Sequence, residues 1–274
     1  MVYADTYINK IFVDKSIWAN RYINMIKKIL KNWLMAFLWP RPLIGIFYIP
    51  KLFIHWMRFS RMLGAPKISF ADLQPCLGDW TSHTPFDAHY FYQGAWIARK
   101  VVNSKPLSHV DIASSVLTIS VLSAHVDTTF VDYRPLKTNL SGLKSVAGNI
   151  LDLSFTNASV ASLSCLHVIE HIGLGRYGDP LDPEGSIKAA KELERIVSDG
   201  GALYLSVPVG RERICFNAHR VFSPETILTM FPKLQLVDFS FVDDVGEFHQ
   251  NVELNHAGKL DYGCGMFHFT KSAE

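Results

Sequence analysis

From about Leu107 onward, short apolar runs alternate with stretches of helical spacing, the pattern of a parallel sheet joined by crossover helices. The runs "SHVDIAS" (108–114), "VDTTFVDY" (126–133), "KSVAGN" (144–149), "SVASLSCL" (159–166), "GALYLSVPV" (201–209), "LQLVDFSFV" (234–242) and "GCGMFHFT" (263–270) predict strands. Seven such strands fit a doubly wound α/β sheet. Helices are predicted over Pro183–Val197, with Gly200-Gly201 as its stop, and over Ser223–Phe231, where Ser-Pro-Glu supplies an N-cap, a first-turn proline and an early acid. Upstream, "DWTSHTPFDAHYFYQGAWIARKVV" reads as a loop followed by a helix. Three segments result: an extension over 1–65, a linker and helix over 66–106, and an α/β domain over 107–274.

The extension has a different texture. Residues 1–65 carry ten Lys or Arg against two acids, an excess of +8 that leaves −6 for the rest of a chain whose total is +2. Between Trp33 and Met57 only Arg41 and Lys51 are charged, and Pro40, Pro42 and Pro50 break the apolar runs. A spanning helix needs about 20 consecutive apolar residues, so the segment is not expected to cross a bilayer simply. Two readings stand: a basic, aromatic segment lying at a membrane interface, or short helices packing on the domain or on a second subunit. Broken apolar runs are common inside globular proteins, which favours the second.

Four scattered cysteines, Cys76, Cys165, Cys215 and Cys264, form neither a C-x-x-C pair nor a dense framework, as suits a reducing compartment. No N-terminal run has the order of a signal peptide. The expected location is cytoplasmic, peripheral to the inner face of the membrane if the extension lies on lipid. The acidic balance of the domain argues against a nucleic-acid partner.

Candidate chemistry begins at the strand ends. The first strand closes in "VDIASS" and the second in "FVDYRP", with Asp132 in the position of the acid that bonds ribose hydroxyls in nucleotide-binding sheets. The stretch "CLHVIEH" contains H-x-x-E-H, a zinc-peptidase signature that requires both histidines on one continuous helix and a distant acid as third ligand. Glu247 and Glu253 could serve as that ligand, but a strand-like run precedes the motif and the glycine-rich "GLGRYGDP" follows it, so no metal is expected. "GLGRYGDP" is either an ordinary turn or a substrate loop offering Arg176, Tyr177 and Asp179. "GRERICFNAHR" is either a solvated loop with Glu212 as partner or a grip for phosphate or carboxylate through Arg211, Arg213, Asn217 and Arg220.

Taken together, the acid after strand two, "CLHVIEH", "GGALYLSVP" and "HRVFSPE" resemble the class I S-adenosylmethionine-dependent methyltransferases over roughly His109–Phe231. "CLHVIEHIGLGRYGDPLDPEG" and "VPVGRERICFNAHRVFSPETI" are more closely similar to an uncharacterised family with members encoded near bacterial surface-polysaccharide genes. The resemblance implies S-adenosylmethionine as cofactor and a small-molecule or glycan acceptor. It aligns Asp111, Ala113, Ser114 and Ser115 with the loop at the methionine moiety, Asp132 with the ribose acid, Asn149 and Ile150 with the adenine neighbours, and His167 with the sulfonium end. The first loop here is "DIASSVL", without the glycines usual in D-x-G-x-G-x-G. His167 and His219, whose side chains titrate near neutrality, are the candidate bases. The alternatives are a degenerate methyltransferase fold acting as a membrane-associated binding subunit and, less favoured, a zinc hydrolase.

Overall fold

A computed structural model describes residues 23, 27, 47–68, 73 and 81–272. Most of the apolar extension expected over 1–65 lies outside the described residues. The chain divides into two compact units between Pro85 and Phe86. In the first, α1 (Ile49–Ser60) starts with a proline in its first turn, has no fully buried residue and leaves Ile54, Met57 and Phe59 exposed. Among the described residues, no helix is long and apolar enough to cross a membrane.

The second unit contains, in chain order, α2 (Ala88–Ser104), β1 (His109–Ile112), α3 (Val116–Leu122), β2 (Thr128–Asp132), β3 (Leu143–Ala147), β4 (Val160–Leu166), α4 (Gly185–Ile196), β5 (Val197–Val209), β6 (Arg213–Cys215), β7 (His219–Val221), α5 (Pro224–Met230), β8 (Leu234–Val242), β9 (Phe248–His249) and β10 (Gly263–Lys271). The main sheet runs β3-β2-β1-β4-β5-β10-β8-β9. β1 to β5 pair in parallel, and β10 runs antiparallel to both of its neighbours. All seven predicted strands are present. The eighth, two-residue β9, pairs at the edge and is too short to carry an alternating pattern.

Parallel strands buried on both faces read as continuous apolar runs, and β1 is buried at every residue. One face packs Ala189, Ala190, Leu193 and Ile196 of α4 and Ile227 and Met230 of α5 against Leu163, Leu203, Leu205 and Phe267. The other packs Trp96, Ile97 and Val101 of α2 and Ile119 and Leu122 of α3 against Phe130, Leu166, Cys264 and Met266. Cys264 and Met266 point one way along β10 and Phe267 and Phe269 the other, the period of two that puts a single strand into both cores.

Local signals and tertiary context differ at three places. Val116–Leu122 is rich in β-branched residues, yet it is helical because β1 and β2 are parallel neighbours and need a crossover. Gly200-Gly201, expected to stop the preceding helix, lies inside β5 beside a shift in register; α4 already ends at Ile196. "RICFNAHRV", for which a solvated loop is one of two readings from sequence, forms the antiparallel pair β6–β7.

Arg220, on β7, is 6% exposed and donates from Nη1 to the Ile172 carbonyl at 2.7 Å and to Ser186 Oγ at 2.9 Å, and from Nη2 to the Pro183 carbonyl at 3.3 Å. It clamps the connection between β4 and α4 to the hairpin, and its guanidinium is committed to that task. Gly173, in the same connection, sits at φ +81°, where a Cβ would come 2.0 Å from the Asp182 carbonyl oxygen. Arg220→Met is expected to lower unfolding free energy by about 2–4 kcal/mol, because buried carbonyls lose charged donors; urea unfolding measures it, and a loss under about 0.5 kcal/mol would contradict the clamp.

Candidate functional site

The sheet reverses its strand order between β1 and β4, the position at which open α/β sheets bind ligands beyond the strands' carboxyl ends. Beneath that point lies a buried polar chain. Asp111 is fully buried; its Oδ1 accepts from the Ser114 backbone N–H at 3.0 Å and its Oδ2 from Ser114 Oγ at 2.7 Å. Ser164 Oγ, on β4, also donates to Asp111 Oδ2. Ser114 Oγ accepts from the Leu166 N–H at 3.0 Å, and His109 places Nδ1 and Nε2 each 2.8 Å from the hydroxyls of Ser162 and Ser164. β1 and β4 are thus tied by side chains as well as by their ladder.

The tie holds two backbones in an unusual state. Ala113, directly after β1, has φ +54°, and His167, directly after β4, has φ +56°. Non-glycine residues in this left-handed region carry strain of order 1–3 kcal/mol, which surrounding contacts must override. Ala113 N–H donates to the Val131 carbonyl and His167 N–H to that of Ser206, each at 2.9 Å. The loop "DIASS" therefore makes its turn without glycine.

Above it is a cavity of about 360 Å³ lined by the ends of the first four strands, with Ala113, Asp132, Asn149, Ile150 and His167 among its walls. Of the residues aligned with the cofactor, Asp111, Ser114 and Ser115 do not line it. Asp111 and Ser114 are spent on the buried chain below, and Ser115 leads into α3. Asp132 Oδ1 accepts from the Arg134 N–H at 2.6 Å, while Oδ2 has no protein partner among the described residues. The Asn149 amide oxygen accepts from the Leu151 N–H at 3.0 Å, so it is turned to its own loop. Tyr177 and Asp179 line this cavity too. The Asp179 carboxylate is drawn below its ordinary range: burial opposes ionisation, and the N–H groups of Tyr177, Gly173 and Gly175 outweigh it.

A second cavity, of about 650 Å³, adjoins the first and shares His167 and His171 with it. Its other walls include His89, Tyr90, Glu170, Arg176, His219, Asp244 and Tyr262. Arg176 is thus on this side, donating from Nη1 to the Ala218 carbonyl at 3.0 Å. Asn217 is exposed, Arg211 pairs with Asp261 at 3.2 Å, and Arg213 donates to the carbonyls of Arg211 and Asp261, each at 2.7 Å. The phosphate grip suggested by "GRERICFNAHR" is not assembled: Arg211 and Arg213 are engaged with Asp261, on the segment before β10, and Arg220 lies in the interior.

"CLHVIEH" closes β4 and continues as a single 3-10 turn, Ile169–His171, in place of the continuous helix that the zinc motif requires. Instead His167 Nδ1 lies 2.8 Å from Glu170 Oε1, both side chains buried. Burial disfavours the His167 cation, but the Cys264 sulfur and the Glu170 carboxylate outweigh it and raise its pKa. His219 behaves oppositely: burial, aided by the cations of Arg176 and Arg213, lowers it to about 4. Tyr262 is pushed up to about 12 by burial and remains a hydrogen-bond donor at neutral pH. His89, Tyr262 and Cys264 drew no sequence signal. His89 sits inside an aromatic helix start, and Cys264 in an apolar strand.

This strand order, with five parallel strands and the chain's last strand inserted antiparallel between β5 and β8, defines the class I methyltransferase fold. The chain belongs to the family described as Caenorhabditis protein of unknown function, DUF268, whose model matches residues 105–260, more than half of the sequence. Among solved structures, the chain is similar to the N-methyltransferase NodS from Bradyrhizobium japonicum WM9 in complex with S-adenosyl-L-homocysteine, at 16% identity and TM-score 0.49 over 68% of this chain and 88% of that one. It is similar also to 1,6-didemethyltoxoflavin-N1-methyltransferase from Burkholderia thailandensis, at 12% identity and TM-score 0.44 over 70% and 94%. No curated protein matches.

The buried chain makes stability depend on pH in a defined direction. Burial lowers His109 to about 4 and raises Asp111 to about 6, the latter against the hydrogen bonds of Ser114 and Ser164. As pH falls from 6.5 toward 4, unfolded His109 takes up a proton that the folded ring refuses, so its contribution is complete above 6.5 and is lost by about 3 kcal/mol on acidification. Over the same range Asp111 acts in the opposite sense, because the folded carboxyl holds its proton longer. The stability of wild type minus His109→Gln is therefore expected to decline as pH drops from 6.5 to 4 in urea titrations; a pH-independent difference would contradict the assignment.

Proposed function

We propose that this protein transfers the methyl group of S-adenosylmethionine to an oxygen or nitrogen of a small-molecule or glycan acceptor. The observation that carries the reading is the pair of adjoining cavities that share His167 and His171, one at the switch point of the sheet and one beyond it. A bisubstrate transfer needs two compartments that meet at the reacting atoms, because in-line positioning supplies much of the acceleration.

The residues present fit the cofactor at several points. Asp132 Oδ2 is available to ribose hydroxyls, Ile150 and Val131 offer apolar surface to a base, and the loop at Ala113 brings backbone to the cavity without a large side chain. S-adenosylmethionine would supply an electrophilic methyl at the His167 end. On the acceptor side, His219 is neutral at pH 7 and can take the acceptor proton, while Tyr262 can donate a hydrogen bond. The polar walls of the larger cavity support a hydroxyl-rich acceptor, and the family resemblance supports a surface-polysaccharide precursor. Contact of residues 1–65 with a membrane surface is supported by their basic, aromatic composition and by exposed Ile54, Met57 and Phe59 on α1.

The competing reading, a fold that has ceased to turn over, is favoured by one feature, the strained Ala113 in the loop where the class I methyltransferases it resembles usually carry glycine. Calorimetry separates the two. The enzyme reading expects S-adenosylmethionine and S-adenosylhomocysteine to bind with one site, and Asp132→Ala to weaken both by about 10- to 100-fold through loss of charge-assisted hydrogen bonds. A folded protein that binds neither would sink it.

A further inference from the structure

We propose that His89, His167 and Cys264 form a zinc site at the wall of the larger cavity, with Glu170 as the carboxylate that orients His167. The three side chains come from the start of α2, the end of β4 and the start of β10, and their ligand atoms all lie within 4.8 Å of one another. Zinc bonds of about 2.0–2.1 Å to nitrogen and 2.3 Å to sulfur set tetrahedral ligand atoms roughly 3.5 Å apart, so a small closure completes the triangle. Half-buried His89, in the first turn of its helix, is the partner with room to move.

A second observation points to a ligand independently. Among the described residues, His167 Nε2 is buried and has no hydrogen-bond partner, although the ring's other nitrogen is held by Glu170 Oε1 at 2.8 Å. A buried, unpaired polar atom is costly. A carboxylate on Nδ1 orients the ring and leaves Nε2 as the ligating nitrogen, the arrangement that metal-binding histidines use, and metal binding releases the Nε2 proton to solvent. Cys264 is fully buried beside it, with its sulfur within 4.8 Å of the ligand nitrogens of both histidines.

Two imidazoles and a thiolate select a borderline metal such as zinc over magnesium or calcium, and three protein ligands leave a fourth position open, here toward the cavity that His89, His167 and Tyr262 line. On binding, the Cys264 thiol gives its proton to solvent and the sulfur bonds the metal. The open position would take an acceptor oxygen as its anion, with His219 receiving the proton. That role, unlike the site itself, rests on the methyl-transfer reading.

The test uses the full-length chain, freed of metal by dialysis against a chelator and titrated with Co²⁺. One equivalent should bind and produce a thiolate-to-cobalt charge-transfer band in the near ultraviolet, which Zn²⁺ then bleaches. Cys264→Ser should abolish the band, His89→Ala should weaken Co²⁺ at least tenfold, and Glu170→Gln should weaken it by about 10- to 100-fold. Thermal unfolding of each variant reports whether it is folded; should Cys264→Ser misfold, His89→Ala decides. Absence of the band in wild type, or affinity unchanged in His89→Ala, overturns the site. So does loss of binding in Glu247→Ala, since Asp243, Glu247 and His249 form the other cluster of suitable ligands among the described residues. S-adenosylmethionine is absent from every arm, so failure here is distinguishable from failure of the methyl-transfer reading.

Discussion

Asp111, sealed from water between β1 and β4, accepts three hydrogen bonds from two serines, and one of those serines also meets His109. A buried carboxyl without partners would be severely destabilising, so the network must form as a unit or not at all. Once formed, it fixes the spacing of the two strands at the reversal of the sheet and sets the direction in which the chain leaves each of them. Ala113 and His167, both in the left-handed region, are the visible result. In a loop rich in glycine the backbone reaches such a conformation without strain; here hydrogen bonding imposes it.

That constraint organises the site above. With the ends of β1 and β4 fixed, one cavity opens over Ala113 and Asp132, and the other lies beyond His167. The histidines of the second cavity are placed in contrasting environments, His167 against a carboxylate and a sulfur, His219 among cations and buried surface. Environments that separate otherwise equal side chains are a feature of working sites, where each group needs one protonation state.

The sheet was legible because parallel strands buried on both faces leave continuous apolar runs, and each of the seven runs named from sequence is a strand. Helix limits were less legible where tertiary demands exceed local preference, as at Val116–Leu122, or where a strand follows a helix with no loop, as at Ile196–Val197. Asp132, Ala113 and His167 could be found from their position after strands, since position relative to the sheet is a local property. His89, Tyr262 and Cys264 could not, because they come to the cavity wall around His167 only through the pairing of β10 with β5 and the packing of α2. Arg220 illustrates the reverse: an arginine in a polar stretch reads as a ligand for anions, but its partners are four backbone carbonyls and a serine.

The central claim is that the cavity at the strand reversal receives an adenosyl cofactor whose reactive end faces His167. A crystal structure of the chain grown with saturating S-adenosylhomocysteine tests it most directly. The account predicts the ribose hydroxyls on Asp132, the base against Ile150, and the sulfur at the wall shared by the two cavities. Adenosyl density at any other location, or an empty cavity in well-ordered crystals, would contradict it.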